Sequence, residues 1–155
     1  YVSNIALEDL LFEIKNSFEE ISEKKIELYL NKKNNKTPIK RSPELTYGIR
    51  NFIGNAVKFS KKNVFINLIN DLNEIKIKIT DDGPGFPEDI FKIIGEPYIA
   101  SKSKKFKNKS GLGLGTFIGK TLLERKKAII EFSNIEKGGA SVEITWKYSD
   151  LVVIK

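Results

Sequence analysis

The chain has 155 residues, 40% hydrophobic and 30% charged, with a formal net charge of +7; this is the size and make-up of one globular domain with room for a core. It contains no Cys and no His, which excludes disulfides, thiol chemistry, the usual zinc ligand sets and an imidazole general base, and leaves hard, oxygen-liking ions such as magnesium as candidate metals. No apolar run approaches the ~18 residues of a membrane-crossing helix, and no signal-peptide pattern precedes the core; Tyr1, Val2, Ser3 and Asn4 read as a fragment start.

Leu7, Leu10, Leu11, Ile14, Phe18 and Ile21 recur at helical spacing with Glu and Lys between them, which predicts an amphipathic helix of about 17 residues. The alternation in KKIELYLN predicts a strand, and NKKNNKTPIKRSP a polar linker or hairpin tip ending at Pro43. Pro43 and Glu44 open a second helix, because proline suits a first helical turn. Along it Leu45, Ile49, Phe52, Ile53 and Ala56 share one face. Asn51, Asn55 and Lys58, at i, i+4 and i+7, form a narrow polar stripe opposite. A solvated helix surface would account for such a stripe. Two asparagines a turn apart, however, lower helix propensity for no packing gain.

NVFINLI and EIKIKIT follow as two strands, joined by turn chemistry at Asn70, Asp71, Leu72 and Asn73. DDGPGF then places Asp81 at the end of a buried-looking strand, followed by Gly83 and Gly85. A carboxylate there can accept a hydrogen bond from an exocyclic amine such as that of adenine, while the glycines let the backbone close on a ring. A turn with solvated acids is the other account. The segment from about Pro87 to Ser110, with Lys102, Lys104, Lys105, Lys107 and Lys109 crowded into it, is too long and too basic for an idle connection and reads as a lid. From Leu112 to about Lys126 the pattern is helical. AIIEFSN, a turn at Gly138 and Gly139, and ASVEITWKY make a terminal hairpin. The order predicts an α+β fold, a two-layer sandwich with helices on one face of a mixed, mostly antiparallel sheet.

SGLGLGTFIGKT, Ser110 to Thr121, imitates two phosphate-binding motifs. A Walker A loop needs four residues between its first Gly and the Gly-Lys-Thr, whereas Gly115 to Gly119 leaves three and a helical pattern runs through them. A dinucleotide turn needs GxGxxG directly after a strand, and this is GxGxG after a Lys-rich loop. Both fail. What remains is three small residues ahead of a helix, where a ligand can approach closely and free N–H groups favour an anion. A glycine-rich hinge or a tight packing contact is the alternative.

Asn51, Asn55 and Lys58, then Asp81, Gly83 and Gly85, then the Lys-rich segment, then Gly111, Gly113 and Gly115 follow one another in an order that resembles the ATP-binding domain of sensor histidine kinases. That domain belongs to the superfamily of gyrase, the Hsp90 chaperones and MutL. The resemblance covers nearly the whole chain and implies a Bergerat-type fold over 1–155 with a lid at about 87–110. It implies that Asn55 coordinates magnesium and Lys58 contacts phosphate, with Phe59 flanking the nucleotide. Asp81 would bind the adenine amino group in a pocket shaped by Gly83 and Gly85. The backbone from Gly111 through Leu112, Gly113, Leu114 and Gly115 to Thr116 would hold the phosphates. GEPY matches the lid's aromatic box with Tyr98 in place of Phe, and Gly138 and Gly139 match the last glycine turn. Thr116 departs from the usual Leu, and the last strand lacks the family's closing Pro. GEPYIASKSK and GLGLGTFIGKTLLER look most like the redox-responsive RegB/PrrB type.

Hydrolysing relatives carry a Glu one turn before the magnesium Asn. Asn51 stands there in this chain and has no useful basicity, which suits phosphoryl transfer rather than hydrolysis. The resemblance thus implies a protein-histidine kinase catalytic domain using ATP and magnesium. Its acceptor His would lie on a separate dimerisation domain of the same kinase, with relay to a response regulator. It further implies a homodimeric full-length protein, anchored in a bacterial inner membrane with this domain on the cytoplasmic side. The alternatives are a nucleotide-binding module without transfer activity, a serine kinase, or an ATPase of the superfamily. The charge of +7 admits nucleic acid as a partner, but a lid for ATP phosphates accounts for the Lys cluster without one.

Overall fold

The computed structural model describes residues 3–31, 36–93 and 112–153. In chain order they form β1 (Asn4–Ala6), α1 (Leu7–Glu19), β2 (Lys25–Leu30), β3 (Pro38–Lys40), α2 (Pro43–Phe59), β4 (Asn63–Asn70), β5 (Glu74–Asp81), α3 (Glu88–Ile93), α4 (Leu112–Glu124), β6 (Ile129–Asn134), β7 (Ala140–Lys147) and α5 (Tyr148–Leu151). The α+β sandwich expected from the sequence is the fold observed. β2, β4, β5, β7 and β6 make one five-stranded sheet in that order, with β2 parallel to β4 and the other pairs antiparallel. The parallel pair follows from connectivity, because α2 lies between β2 and β4 and carries the chain back to the same end.

Alternation along the central strands decides which face is covered. Val64, Ile66 and Leu68 on β4, Ile75, Ile77 and Ile79 on β5, and Val142, Ile144 and Trp146 on β7 are buried, and full burial of such a side chain stabilises by about 1.5–3 kcal/mol. They pack with Leu7, Leu10, Leu11 and Ile14 of α1 and Ile49, Phe52 and Ile53 of α2. On the opposite face Lys76 and Lys78 reach Glu143 at 3.3 and 3.9 Å. Asp81 continues the inward series Ile75, Ile77, Ile79 by one more step. Its carboxylate therefore lies on the covered side, where the apolar core ends.

α2 is fixed at both ends. Ser42 caps it by accepting from the Leu45 N–H at 3.1 Å, and Pro43 opens its first turn. At the other end Lys24 Nζ donates to the carbonyls of Val57 and Ser60 at 2.9 and 2.5 Å, giving a cation to carbonyls that the helix cannot satisfy itself.

Five elements differ from the sequence expectation. β1 was not expected, and β3 lies inside the stretch read as a linker; the two pair, and Val153 N–H donates to Pro38 O at 2.8 Å. α3 and α5 are short helices that carry no readable period. The first helix ends at Glu19, leaving Ile21 78% exposed. Segments this short take their form from long-range pairing rather than from their own pattern.

Candidate functional site

A cavity of about 320 Å³ opens where β5 ends, between α2, the turn after Asp81 and the start of β7. Phe52, Phe59, Ile79, Phe86 and Val142 supply apolar walls, while Asn55 and Asp81 supply the polar groups. Asp81 is 6% exposed and accepts from Gly83 N–H at 2.8 Å and Ala140 N–H at 3.5 Å. Burial pushes its carboxyl above the ordinary range, and the Gly83 and Ala140 amides offset this only in part. A nearly dry acceptor among apolar walls can select a flat ring that offers an N–H donor.

Backbone approaches too close for side chains shape this end of the cavity. A Cβ on Gly83 would run into the Phe59 carbonyl, which ties the turn to the end of α2. Gly139 has φ +112°, and a Cβ there would strike the Asp81 carbonyl. Gly85 has φ +86°, and its Cβ would lie 2.8 Å from Asn134 Oδ1. Asp82 points away from the cavity and binds the α2–β4 connection, accepting from Lys61, Lys62 and Asn63 N–H and from Asn63 Nδ2. Desolvation opposes its ionisation, and these N–H groups outweigh that effect, holding its carboxyl down to about 2.

The second edge of the site is the contact between α2 and α4. A Cβ on Gly48 would fall 2.5 Å from Leu123 Cγ, and one on Gly119 would fall 3.1 Å from Phe52 Cε2. A Cβ on Gly115 would meet Asn51 Oδ1 at 3.7 Å and Asn55 Oδ1 at 3.9 Å. Thr116 is fully buried, and its hydroxyl lies 3.5 Å from Asn55 Nδ2. Gly113 and Gly115 therefore lie in the first turn of α4 rather than ahead of it. Gly48 and Gly119 let the two helices close on each other, whereas a side chain at Gly115 would make only ordinary contact. The resemblance of GTFIGKT to a phosphate loop is a by-product of helix packing.

Of the residues singled out in the sequence, Asn55, Phe59, Asp81 and Gly85 line the one cavity, and Gly83 shapes its rim. Asn51 lines a second, more open groove of about 300 Å³ that shares Asn55 with the first. Lys58 is exposed, with Nζ 5.4 Å from the centre of the Phe59 ring. Leu112 opens α4, and Leu114 follows in its first turn. Tyr98, Gly111 and most of the lid lie outside the described residues. Sequence reasoning missed Lys24, Asp82 and Asn134. The Asp-Asp pair was a visible signal for Asp82, but Lys24 and Asn134 act on backbone atoms far away in sequence and left none.

Among the described residues no group of three or more Asp, Glu, His or Cys could hold a metal. The oxygen donors are instead the amides of Asn55 in the cavity and Asn51 in the adjoining groove. That set fits a hard cation bringing phosphate and water oxygens of its own, and does not fit a metal held by the protein alone.

A family model described as histidine kinase-, DNA gyrase B-, and HSP90-like ATPase matches residues 40–150. The sensor histidine kinase RegB of Cereibacter sphaeroides is 38% identical over 133 residues, which cover 76% of this chain and 29% of that protein. The sensor protein QseC of Escherichia coli K12 is 28% identical over 149 residues, covering 94% of this chain and 32% of QseC. The chain thus spans about a third of the length of these relatives. Among solved structures, the nucleotide-free catalytic domain of histidine kinase ThkA superposes with a TM-score of 0.74 at 16% identity, covering 96% of this chain and 97% of that domain. Full-length ShkA in complex with AMPPNP matches at a TM-score of 0.74 and 19% identity, covering 99% of this chain and 32% of ShkA.

Proposed function

The chain belongs to the histidine kinase-, DNA gyrase B- and HSP90-like ATPases, and from that premise we propose that it moves the terminal phosphoryl group of ATP to a histidine on a separate dimerisation domain of a sensor kinase. The observation that carries this reading is the buried Asp81 carboxylate in a largely apolar cavity that Asn55 also lines. The adenine amine donates to Asp81, and the ring lies among Phe52, Phe59 and Phe86. The phosphates then run toward Asn55, Lys58 and the first turn of α4, whose N–H groups and dipole favour negative charge.

Asn55 offers an amide oxygen to magnesium, which when bound neutralises charge on neighbouring phosphates. Asn51 offers no base to activate water. A site that orients ATP without activating water protects the phosphoryl group until an acceptor arrives, and positioning and charge compensation then supply most of the catalysis. The acceptor must be a histidine outside this chain, which has none. A homodimeric, membrane-anchored full-length kinase and a response regulator that takes up the phosphoryl group complete the proposal. No described helix is itself long and apolar enough to cross a membrane.

The test mixes this chain, γ-labelled ATP and the histidine-bearing dimerisation domain of the same protein. Label should appear on that domain with the parent chain, and Asn55→Ala should slow its appearance by at least about 100-fold, the scale of losing a group that orients the reacting phosphate. Binding of ATP without transfer would make the domain a nucleotide-holding module. Rapid release of inorganic phosphate by the isolated chain would make it an ATPase.

A further inference from the structure

Asn134, the last residue of β6, holds the turn that forms one wall of the cavity. Its Oδ1 accepts from the Phe86 N–H at 2.7 Å, and its Nδ2 donates to the Phe86 carbonyl at 2.9 Å. A carboxamide is the side chain that places one acceptor and one donor side by side, so it engages both backbone groups of one residue as a neighbouring strand would. The reversed amide would set N–H against N–H and oxygen against oxygen, so the partners fix its orientation. Among the described residues, these two bonds are what hydrogen-bonds residues 84–86 to the sheet.

The surroundings are built around this contact. Gly85, with φ +86°, passes so close that a Cβ would meet Asn134 Oδ1 at 2.8 Å and Gly139 O at 3.2 Å. The Phe86 ring stands edge-on to Phe132 of β6, with centroids 5.8 Å apart, and to Phe91 of α3 at 5.9 Å. Pro84, Gly85, Phe86 and Pro87 all line the cavity that holds Asp81. The bonds lie at the surface, so their role is to fix the loop rather than to support the core.

We infer that Asn134 is a positioning residue for base recognition: by fixing the Gly85–Phe86 wall relative to Asp81, it sets the selectivity of the site for adenine over guanine. This rests on the reading of the cavity as an ATP site. Adenine presents an amine N–H to the Asp81 carboxylate, whereas guanine presents a carbonyl oxygen at the corresponding ring position. That difference discriminates only while the wall keeps the ring in register. A loosened wall lets either ring slide, weakening adenine binding and narrowing the difference.

The test displaces a fluorescent ATP analogue from the full chain with ATP, GTP and tripolyphosphate. Asn134→Ala should weaken ATP about tenfold, the loss expected when two hydrogen bonds and the order they impose on a loop are removed. It should narrow the ATP-to-GTP preference and leave tripolyphosphate displacement within about twofold, because the phosphate edge is untouched. Asn134→Asp keeps the acceptor for Phe86 N–H but sets a carboxylate oxygen against the Phe86 carbonyl, and should fall between parent and Asn134→Ala. Gly85→Ala, which disturbs the same contact from the other side, should show the same pattern. An unchanged ATP-to-GTP preference in both Asn134→Ala and Gly85→Ala, with the parent selective for ATP, would overturn the inference alone. Failure of the parent chain to bind ATP would overturn the underlying reading and the inference with it.

Discussion

At Asp81 the fold holds a carboxylate where burial disfavours its charge. Its raised native pKa means that its contribution to stability is fully present below the ordinary carboxylate value of about 3.9 and is lost as pH rises through the raised value. At neutral pH ionised Asp81 therefore costs stability. Asp81→Asn removes the charge and keeps an oxygen for the Gly83 N–H; thermal melts at pH 7 should show a midpoint no lower than the parent's. Asp82 has the opposite sign. With its pKa held down to about 2, its contribution is present above about pH 4 and is lost as pH falls toward 2. Asp82→Asn should flatten the stability curve over that interval, as measured by urea unfolding between pH 2 and 6. The difference between these neighbours was legible in the sequence, because Ile75, Ile77, Ile79 and Asp81 keep one period and Asp82 falls out of it. Lys24 and Asn134 were not legible. Their partners are backbone groups 33 and 48 residues away, and nothing in a local pattern encodes such a meeting.

The α2–α4 contact is the element on which the proposed phosphate side of the site depends. Gly48 and Gly119 bring the helices close enough for Asn51 and Asn55 to face Gly115 and Thr116. Gly48→Ala places a Cβ against Leu123 and should destabilise the fold by about 1–3 kcal/mol, the usual range for overpacking. Urea unfolding would measure this, and the double variant Gly48→Ala with Leu123→Ala should lose less than the sum of the single changes because the second makes room for the first. The long helices and strands could be read from their periods of 3.6 and 2. The helix start at Leu112 was legible, yet GLGLG was also read as small residues ahead of that helix, whereas Gly113 and Gly115 lie inside α4. Glycine lowers helix propensity, and at Gly119 it gains a close contact with Phe52 that only the partner helix reveals. β1 and β3 escaped notice because strands of three residues carry no pattern.

Across the whole molecule the architecture follows from one asymmetry. One sheet face is covered by α1 and α2, the other carries lysines and glutamates, and the covered layer ends at Asp81 rather than at another isoleucine. A cavity forms there because the core stops before the backbone does. The order Asn55, Asp81, Gly85 along the chain made this cavity legible before any coordinates, since residues from different elements had to meet for their chemistry to make sense together. The walls were less legible, being built by glycine contacts and a surface asparagine. The central claim is that this cavity takes ATP, with Asp81 reading the base. Calorimetric titration of ATP and magnesium into the parent chain and into Asp81→Asn, both verified as folded by circular dichroism, tests it most directly. Saturable one-to-one binding by the parent and at least about tenfold weaker binding by the variant is the predicted result; equal affinities, or no binding by the folded parent, would contradict it.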